Sequence, residues 1–222
     1  MLAASAPIIT VGVVDDHQVL TEALAVVIRQ ETDLRYVGSA GTCAEAQVLV
    51  TNTLPQVLLL DVSLPDGDGL SLAPELKRLA PDTQILILTS YSDETTLLRA
   101  VDIGVNGFVS KNQPMAQVLT AIRQAAEGEI VMPASLLAGV LARTLRRNQG
   151  EKPDPKSLTP REKEILTQIA QGKSGQAIAE ALTISPMTVR THIRNLLTKL
   201  GAHSRLEAVT LAFRRGLIGP SR

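Results

Sequence analysis

Two kinds of apolar pattern alternate along the first part of the chain. Val57-Leu-Leu-Leu60 and Ile85-Leu-Ile-Leu88 are continuous apolar runs. They are too short for helices and too uninterrupted for half-exposed strands, and so fit strands buried on both faces of a parallel sheet. With β-branched runs at residues 8–14, 34–40 and 107–109, they predict five strands. Helical periodicity fills the gaps between them. Leu20, Leu24, Val27 and Ile28 share one face of the first helix, and Val118, Leu119, Ile122 and Ala125 make the stripe of the last. Thr42-Cys-Ala-Glu45 reads as a capping box opening the second helix. Pro114 suits the first position of the last. Pro74 conflicts with the third helix unless it stands in the first turn. Strand–helix alternation of this kind predicts an open α/β sheet with right-handed crossovers.

Beyond residue 157 the period-2 signal disappears and only helical patterns remain. Thr159, Pro160 and Glu162 supply an N-cap, a first-turn proline and the glutamate of a capping box. Ile165, Leu166 and Ile169 form the stripe, and Gly172 stops the helix. A short helix follows, carrying Ala177, Ile178, Ala181 and Leu182. Ser185-Pro186 then opens a third helix with Val189, Ile193, Leu196, Leu197 and Leu200 on its inner face, ending at Gly201. A fourth starts at the capping box Ser204-Arg-Leu-Glu207 and ends near Gly216. Two helices joined by a tight turn, the second amphipathic with a basic outer face, make a helix-turn-helix arrangement. On spacing alone, a solvated basic helix in a small bundle is about as good a reading.

Charge sharpens the division. The 222 residues carry 22 Lys and Arg against 22 Asp and Glu. Residues 1–145 hold 8 basic and 16 acidic side chains, a balance of −8, whereas residues 146–222 hold 14 and 6, a balance of +8. The change falls on a polar stretch, residues 148–157, with two prolines and no periodicity, which is the composition of a linker. The expected organisation is a tail at 1–7, an acidic domain at 8–128, a linker helix and flexible linker at 129–156, and a basic domain at 157–222. A basic module is the electrostatic footprint of a nucleic-acid partner. With 2% aromatics and no Trp, base-stacking readers of single strands are disfavoured. The lone cysteine, Cys43, can form neither an internal disulfide nor a cysteine-based zinc site. No apolar run reaches a membrane span, and the uncharged first 14 residues lack the basic start of a signal peptide. A cytoplasmic protein is expected.

In open α/β sheets, ligands bind beyond the carboxyl ends of the strands. Asp15 and Asp16 follow strand one, Asp61 ends strand three, Thr89 ends strand four and Lys111 follows strand five. Three carboxylates in water-poor surroundings need a cation. Oxygen donors alone favour a hard ion, most naturally Mg²⁺. Lys111 and the Thr89 hydroxyl complete a cradle for a phosphoryl group carried on a carboxylate. Each residue singly is more often a helix cap, a buried β-former or a solvated charge. The joint pattern is much harder to obtain by accident. Gly172-Lys173-Ser174 is not a P-loop, because a helix rather than a strand precedes it, and the three scattered histidines make no HExxH site.

These residues carry a resemblance. Val14-Asp15-Asp16-His17, Leu60-Asp61-Val62-Ser63-Leu64-Pro65, Leu88-Thr89-Ser90 and Gly107-Phe108-Val109-Ser110-Lys111 resemble the hallmarks of a response-regulator receiver domain, over residues 8–128. The resemblance implies a flavodoxin-like (βα)5 fold with a parallel five-stranded sheet. It implies that Asp61 accepts phosphate from a sensor histidine kinase. Asp15, directly or through water, Asp16, Asp61 and the Ser63 backbone carbonyl would hold Mg²⁺. Thr89 and Lys111 would bind phosphoryl oxygens, and Phe108 would be an aromatic switch. Asn112 stands where many receivers have proline, and Ser90 where alanine is frequent.

Residues 157–217 are similar to the LuxR-type DNA-binding domain, a small all-α, four-helix helix-turn-helix fold, through Leu158-Thr159-Pro160-Arg161-Glu162, Thr188-Val189-Arg190-Thr191-His192-Ile193 and Lys199-Leu200-Gly201. By this resemblance Arg190, Thr191 and Arg194 would reach base edges, with Thr188, His192 and Lys199 near phosphates. Gly175-Gln176-Ala177 departs from the commoner Asn-Lys-Glu. The whole resembles a transcriptional response regulator of the NarL/FixJ family: a double-stranded DNA binder, homodimeric when phosphorylated, with no membrane partner and no external substrate. The alternatives are a constitutive DNA binder whose receiver serves only dimerisation, and a metal-dependent phosphohydrolase with a DNA-binding tail.

Overall fold

A computed structural model describes residues 8–90, 94–132, 137, 139 and 158–218. The expected tail at 1–7 and most of the expected linker at 129–156 lie outside the described residues. The chain divides into two compact units, residues 1–92 with 107–127, and residues 93–106 with 128–222.

The first unit is built on five parallel strands, β1 (Ile9–Val14), β2 (Leu34–Ala40), β3 (Val57–Asp61), β6 (Gln84–Thr89) and β7 (Gly107–Ser110), in the order β2-β1-β3-β6-β7. The strand order reverses at β1, with β3 beside it rather than β2 alone, which is the topology of a flavodoxin-like sheet and makes the β1/β3 ends the binding crevice. All five residues of β3 are buried, as the continuous run predicted. Ile85, Leu86 and Ile87 on β6 are each 0% exposed. At roughly 1.5–3 kcal/mol per buried large aliphatic side chain, these central strands fix the sheet before any polar contact is counted.

Helix α1 (Gln18–Gln30) buries Leu24 and Ile28, and α5 (Met115–Ala126) buries Val118, Leu119, Ile122 and Ala125. These two helices pack together, as do α2 (Cys43–Thr53) and α3 (Gly69–Leu79). Thr42 caps α2 by accepting from the Glu45 N–H, but Glu45 reaches back to the N–H of Gly41 rather than that of Thr42. Pro114 is the N-cap of α5, one position before the first turn.

Pro74 departs from expectation. It lies in the second turn of α3, not the first. The helix starts earlier because Asp68 is an effective cap, accepting from the Leu70 N–H and the Ser71 hydroxyl. Proline then forfeits the N–H that would have bonded to Leu70. A two-stranded hairpin, β4 (Ser63–Leu64) with β5 (Gly67–Asp68), was not legible in the sequence. It brings Gly69 against the Asp61 carbonyl so closely that a Cβ at residue 69 would overlap that oxygen.

The second unit is helical: α4 (Glu94–Ile103), α6 (Pro160–Ala170), α7 (Gly175–Leu182), α8 (Pro186–Leu200) and α9 (Arg205–Arg214). Its core gathers Ile165, Leu166, Ile178, Val189, Leu196 and Phe213, with Val101 of α4 in the same cluster. Local chemistry sets the helix ends as the sequence predicts. Thr159 and Glu162 form both bonds of a capping box. Ser174, Ser185 and Ser204 each accept from the N–H three residues on. Pro186 occupies the first turn of α8 and Gly201 ends it in the left-handed region.

Candidate functional site

Three strand ends of the first unit deliver acids and a cation to one place. The run into β1 leaves Asp15 2% exposed, its N–H bonded to the Ala40 carbonyl of β2. Asp61, the last residue of β3, is 4% exposed. Lys111 follows β7, and its own N–H is anchored on the Thr89 carbonyl at the end of β6. Its ammonium bridges both acids, with Nζ 2.7 Å from Asp15 Oδ2 and 2.8 Å from Asp61 Oδ2. The contact with Asp61 is a formed hydrogen bond. The one with Asp15 is an ion contact off the hydrogen-bonding direction, so this buried oxygen keeps unused accepting capacity.

Asp16 and His17 complete the cluster from the exposed side. Ligand atoms of Asp15, Asp16, His17 and Asp61 lie within 4.8 Å of one another. The His17 N–H donates to Asp15 Oδ1, and Nδ1 stands 2.9 Å from Asp15 Oδ1 and 2.8 Å from Asp16 Oδ1. Sequence reasoning did not assign His17 a place here, although adjacency to the Asp pair was the available signal. The acids at residues 15, 16 and 61 are therefore near enough to share one ion. Thr89 is 8% exposed at its strand end, and Phe108 is half-buried on β7 opposite Ile87. Ser63 is exposed on β4, directly after the bend that follows Asp61.

Burial pushes the Asp61 carboxyl up, the Lys111 hydrogen bond opposes this, and the nearby Asp15 charge adds to the rise. The nearby Ser63 N–H also favours the charged form of the Asp61 carboxyl. For Lys111, burial works against the charged form, but its contacts with the Asp15 and Asp61 carboxylates outweigh it and the ammonium is held more firmly. Two buried acids share one cation. The surplus negative charge, the spare capacity on Asp15 and the oxygen-rich donor set all suit a second, hard cation.

Asp66, at the tip of the β4–β5 hairpin, has no role assigned from sequence. Its carboxylate accepts from the Cys43 and Ala44 N–H groups at the start of α2, at 2.7 and 3.1 Å. The acid is held below the usual carboxylate range by these bonds. The loop that follows Asp61 is thus tied to a helix start rather than left free.

In the second unit, α8 turns Val189, Ile193, Leu196 and Leu200 inward. Thr188, Arg190, Thr191 and Arg194 are exposed on its outer side. The Thr191 hydroxyl donates to the Met187 carbonyl, and the Thr188 and Ser185 hydroxyls stand 2.8 Å apart. His192 and Lys199 are only half-exposed. Lys199 is committed to Glu162 of α6, Nζ to Oε2 at 2.7 Å. Glu162 itself is 3% exposed.

That pair gives a pH dependence. Burial alone would raise the Glu162 carboxyl, but the Lys199 ammonium and the Thr159 N–H and hydroxyl win and hold it below its ordinary value. A carboxyl depressed by folding stabilises above its unfolded pKa of about 4.3, and this stabilisation is lost as pH falls through the lower, folded value. Glu162→Gln is therefore less stable than wild type at neutral pH, and the gap should shrink in acid. Hydrogen exchange of residues 158–218 against pH measures it; a gap that is constant from neutral to acid pH contradicts the assignment.

A family model for the response regulator receiver domain matches residues 11–123, and one for bacterial regulatory proteins of the LuxR family matches residues 156–212. The chain is 36% identical over 207 residues to the transcriptional regulatory protein YhcZ of Bacillus subtilis, covering 93% of this chain and 96% of that one. It is 34% identical over 211 residues to LiaR of the same organism, covering 95% and 99%. DevR/DosR of Mycobacterium tuberculosis, a DNA-binding transcriptional activator, is 34% identical over 205 residues, covering 92% and 94%. The RcsB response regulator of Salmonella typhimurium shares the fold, with a TM-score of 0.55 at 24% identity over 90% of this chain and 97% of that one. No described helix is long and apolar enough to cross a membrane. The chain belongs to the response regulators that join a receiver domain to a LuxR-type DNA-binding domain.

Proposed function

We propose that Asp61 is the phosphoacceptor of this response regulator, and that its acyl phosphate tightens duplex binding by the LuxR-type domain. The supporting observation is the Lys111 ammonium held between two buried carboxylates at adjoining strand ends, 2.7 and 2.8 Å away. A sensor histidine kinase is the donor. An Asp61 oxygen forms a bond to phosphorus while the phosphorus–nitrogen bond of a phosphohistidine breaks, and the departing imidazole nitrogen keeps the electron pair and is protonated. Lys111 lies where it can move from the carboxylate to the added phosphoryl oxygens, and the Thr89 hydroxyl offers them a second donor. Asp15, Asp16, Asp61 and the Ser63 carbonyl would hold Mg²⁺, which would supply charge neutralisation to the phosphoryl group.

Phosphorylation adds roughly −1.5 to −2 charges where Lys111 now serves two acids. The differential contacts of Thr89 and Lys111 in the two states, with Phe108 following Thr89, are the source of the population shift. Arg190, Thr191 and Arg194 present the base-reading face of α8, since the major groove admits one helix. Thr188 and His192 lie on the same helix nearer its flanks. Lys199, held by Glu162, lies near the phosphates with Thr188 and His192. A dimer reads two half-sites.

The test compares duplex affinity and solution mass with and without beryllofluoride plus Mg²⁺, at two salt concentrations. The expected result is a dimer and tighter binding with the mimic, weakening as salt rises. Unchanged affinity and mass would favour the constitutive binder. Sustained turnover of a generic phosphate ester would favour the hydrolase.

A further inference from the structure

Helix α8 carries one side chain that neither its buried stripe nor its charge explains. Met187, in the first turn, is 68% exposed, and among the described residues of the helical unit it is the one large apolar side chain left in solvent. A single exposed apolar residue is ordinary on a protein surface; the position of this one on the helix is not. Arg190, Thr191 and Arg194 follow Met187 at spacings of three, four and seven, so the four exposed residues lie on one face. Val189, Ile193, Leu196 and Leu200 are buried on the opposite face. Ser185 caps the helix and Pro186 opens its first turn, which holds Met187 at the leading end of the exposed face. The Thr191 hydroxyl donates to the Met187 carbonyl at 3.0 Å, which leaves Thr191 no donor for a base.

In a helix-turn-helix pair the second helix enters the major groove with its N-terminal residues against base edges. In that groove guanine presents two acceptors, which suit Arg190 and Arg194, and thymine presents a C5-methyl group that the other three bases lack. An unbranched, polarisable thioether adapts its shape to such a methyl and brings no donor for a guanine or adenine edge. We propose that Met187 selects a thymine in each DNA half-site by packing on its methyl group, beside the bases read by the arginines. Water released from the thioether and the methyl group drives the contact. An apolar side chain at the leading end of α8 is then solvent-exposed only until the duplex covers it. The inference rests on duplex reading by α8 and adds to it one residue and the base that this residue selects.

The experiment first lets the full chain, with beryllofluoride and Mg²⁺, enrich its preferred duplex from a random-sequence pool. Each thymine of that duplex is then replaced in turn by deoxyuridine, which pairs with adenine in the same way and lacks only the methyl group. For the wild type, one thymine in each half-site should show an affinity loss of about fourfold on this exchange, the worth of one buried methyl group. Met187→Gln keeps the length of the side chain but not its apolarity, and should lose that penalty. Met187→Leu, apolar and of similar size, should retain it. The side chain at position 187 is exposed, so both variants keep the fold. The inference is overturned, with duplex binding left standing, if no thymine is sensitive to the exchange, if M187Q keeps the penalty in full, or if M187L loses it. A wild type that enriches no duplex overturns both.

Discussion

Asp61→Asn should abolish labelling by acetyl phosphate, from stoichiometric incorporation to nothing above denatured protein, while leaving the chain folded. The carboxamide keeps the shape of the side chain and one acceptor for the Lys111 ammonium, now 2.8 Å from Asp61 Oδ2. It cannot attack phosphorus to give an acyl phosphate, because the amide oxygen is neutral and no carboxylate remains at the end of β3. Stability points the other way. Asp61 is 4% exposed beside a second buried acid, and both burial and Asp15 push its carboxyl up. Removing that charge leaves a balanced Lys111–Asp15 pair, so the thermal midpoint should stay level or rise. This separates loss of chemistry from loss of fold. The duplex affinity of the variant should also cease to respond to acetyl phosphate. Labelling retained by D61N would place the acceptor elsewhere and overturn the proposed function; loss of labelling together with unfolding would overturn the electrostatic reading of the pocket.

The parts of this molecule written in local sequence were legible, and the parts that depend on long-range meetings were not. The apolar runs of β3 and β6 were legible because four consecutive large apolar residues are too few for a helix and fit a strand covered on both faces. Ser or Thr before proline located the starts of α6 and α8 to the residue, because cap and ring constrain the same turn. Pro74 was misplaced because the rule for proline in helices is strong and the competing cap, Asp68, lies six residues upstream. The strands of the β4–β5 hairpin are two residues each, with no period to detect. Asp15, Asp61 and Lys111 could be nominated from strand ends, but not the sharing of one ammonium between two acids. Lys199 could be nominated from its helix, but not its ion pair with Glu162, 37 residues away in sequence.

Lys111→Met tests the pocket from the side of its cation. The thioether side chain is close to the aliphatic stem of lysine in length and apolarity, so the substitution removes charge with little change in packing. Asp15 and Asp61 are then two buried acids with no ammonium between them. Stripping one partner from a buried ion pair costs about 3–5 kcal/mol, and the loss here should fall in that range at neutral pH with the metal chelated. Without the ammonium, the Asp61 carboxyl, already raised by burial and by the Asp15 charge, would be pushed further up. A carboxyl raised on folding destabilises more as pH climbs from its unfolded value to its folded one. The K111M deficit should therefore be small near pH 4, grow towards neutrality and then level off. Mg²⁺ should restore much of the stability at neutral pH, and more in K111M than in wild type, because the ion meets an unshared pair of acids. Thermal melts in chelator and in Mg²⁺ across this pH range measure both effects. A variant as stable as wild type in chelator at neutral pH, or one blind to Mg²⁺, would show that these carboxylates do not form a cation-dependent site.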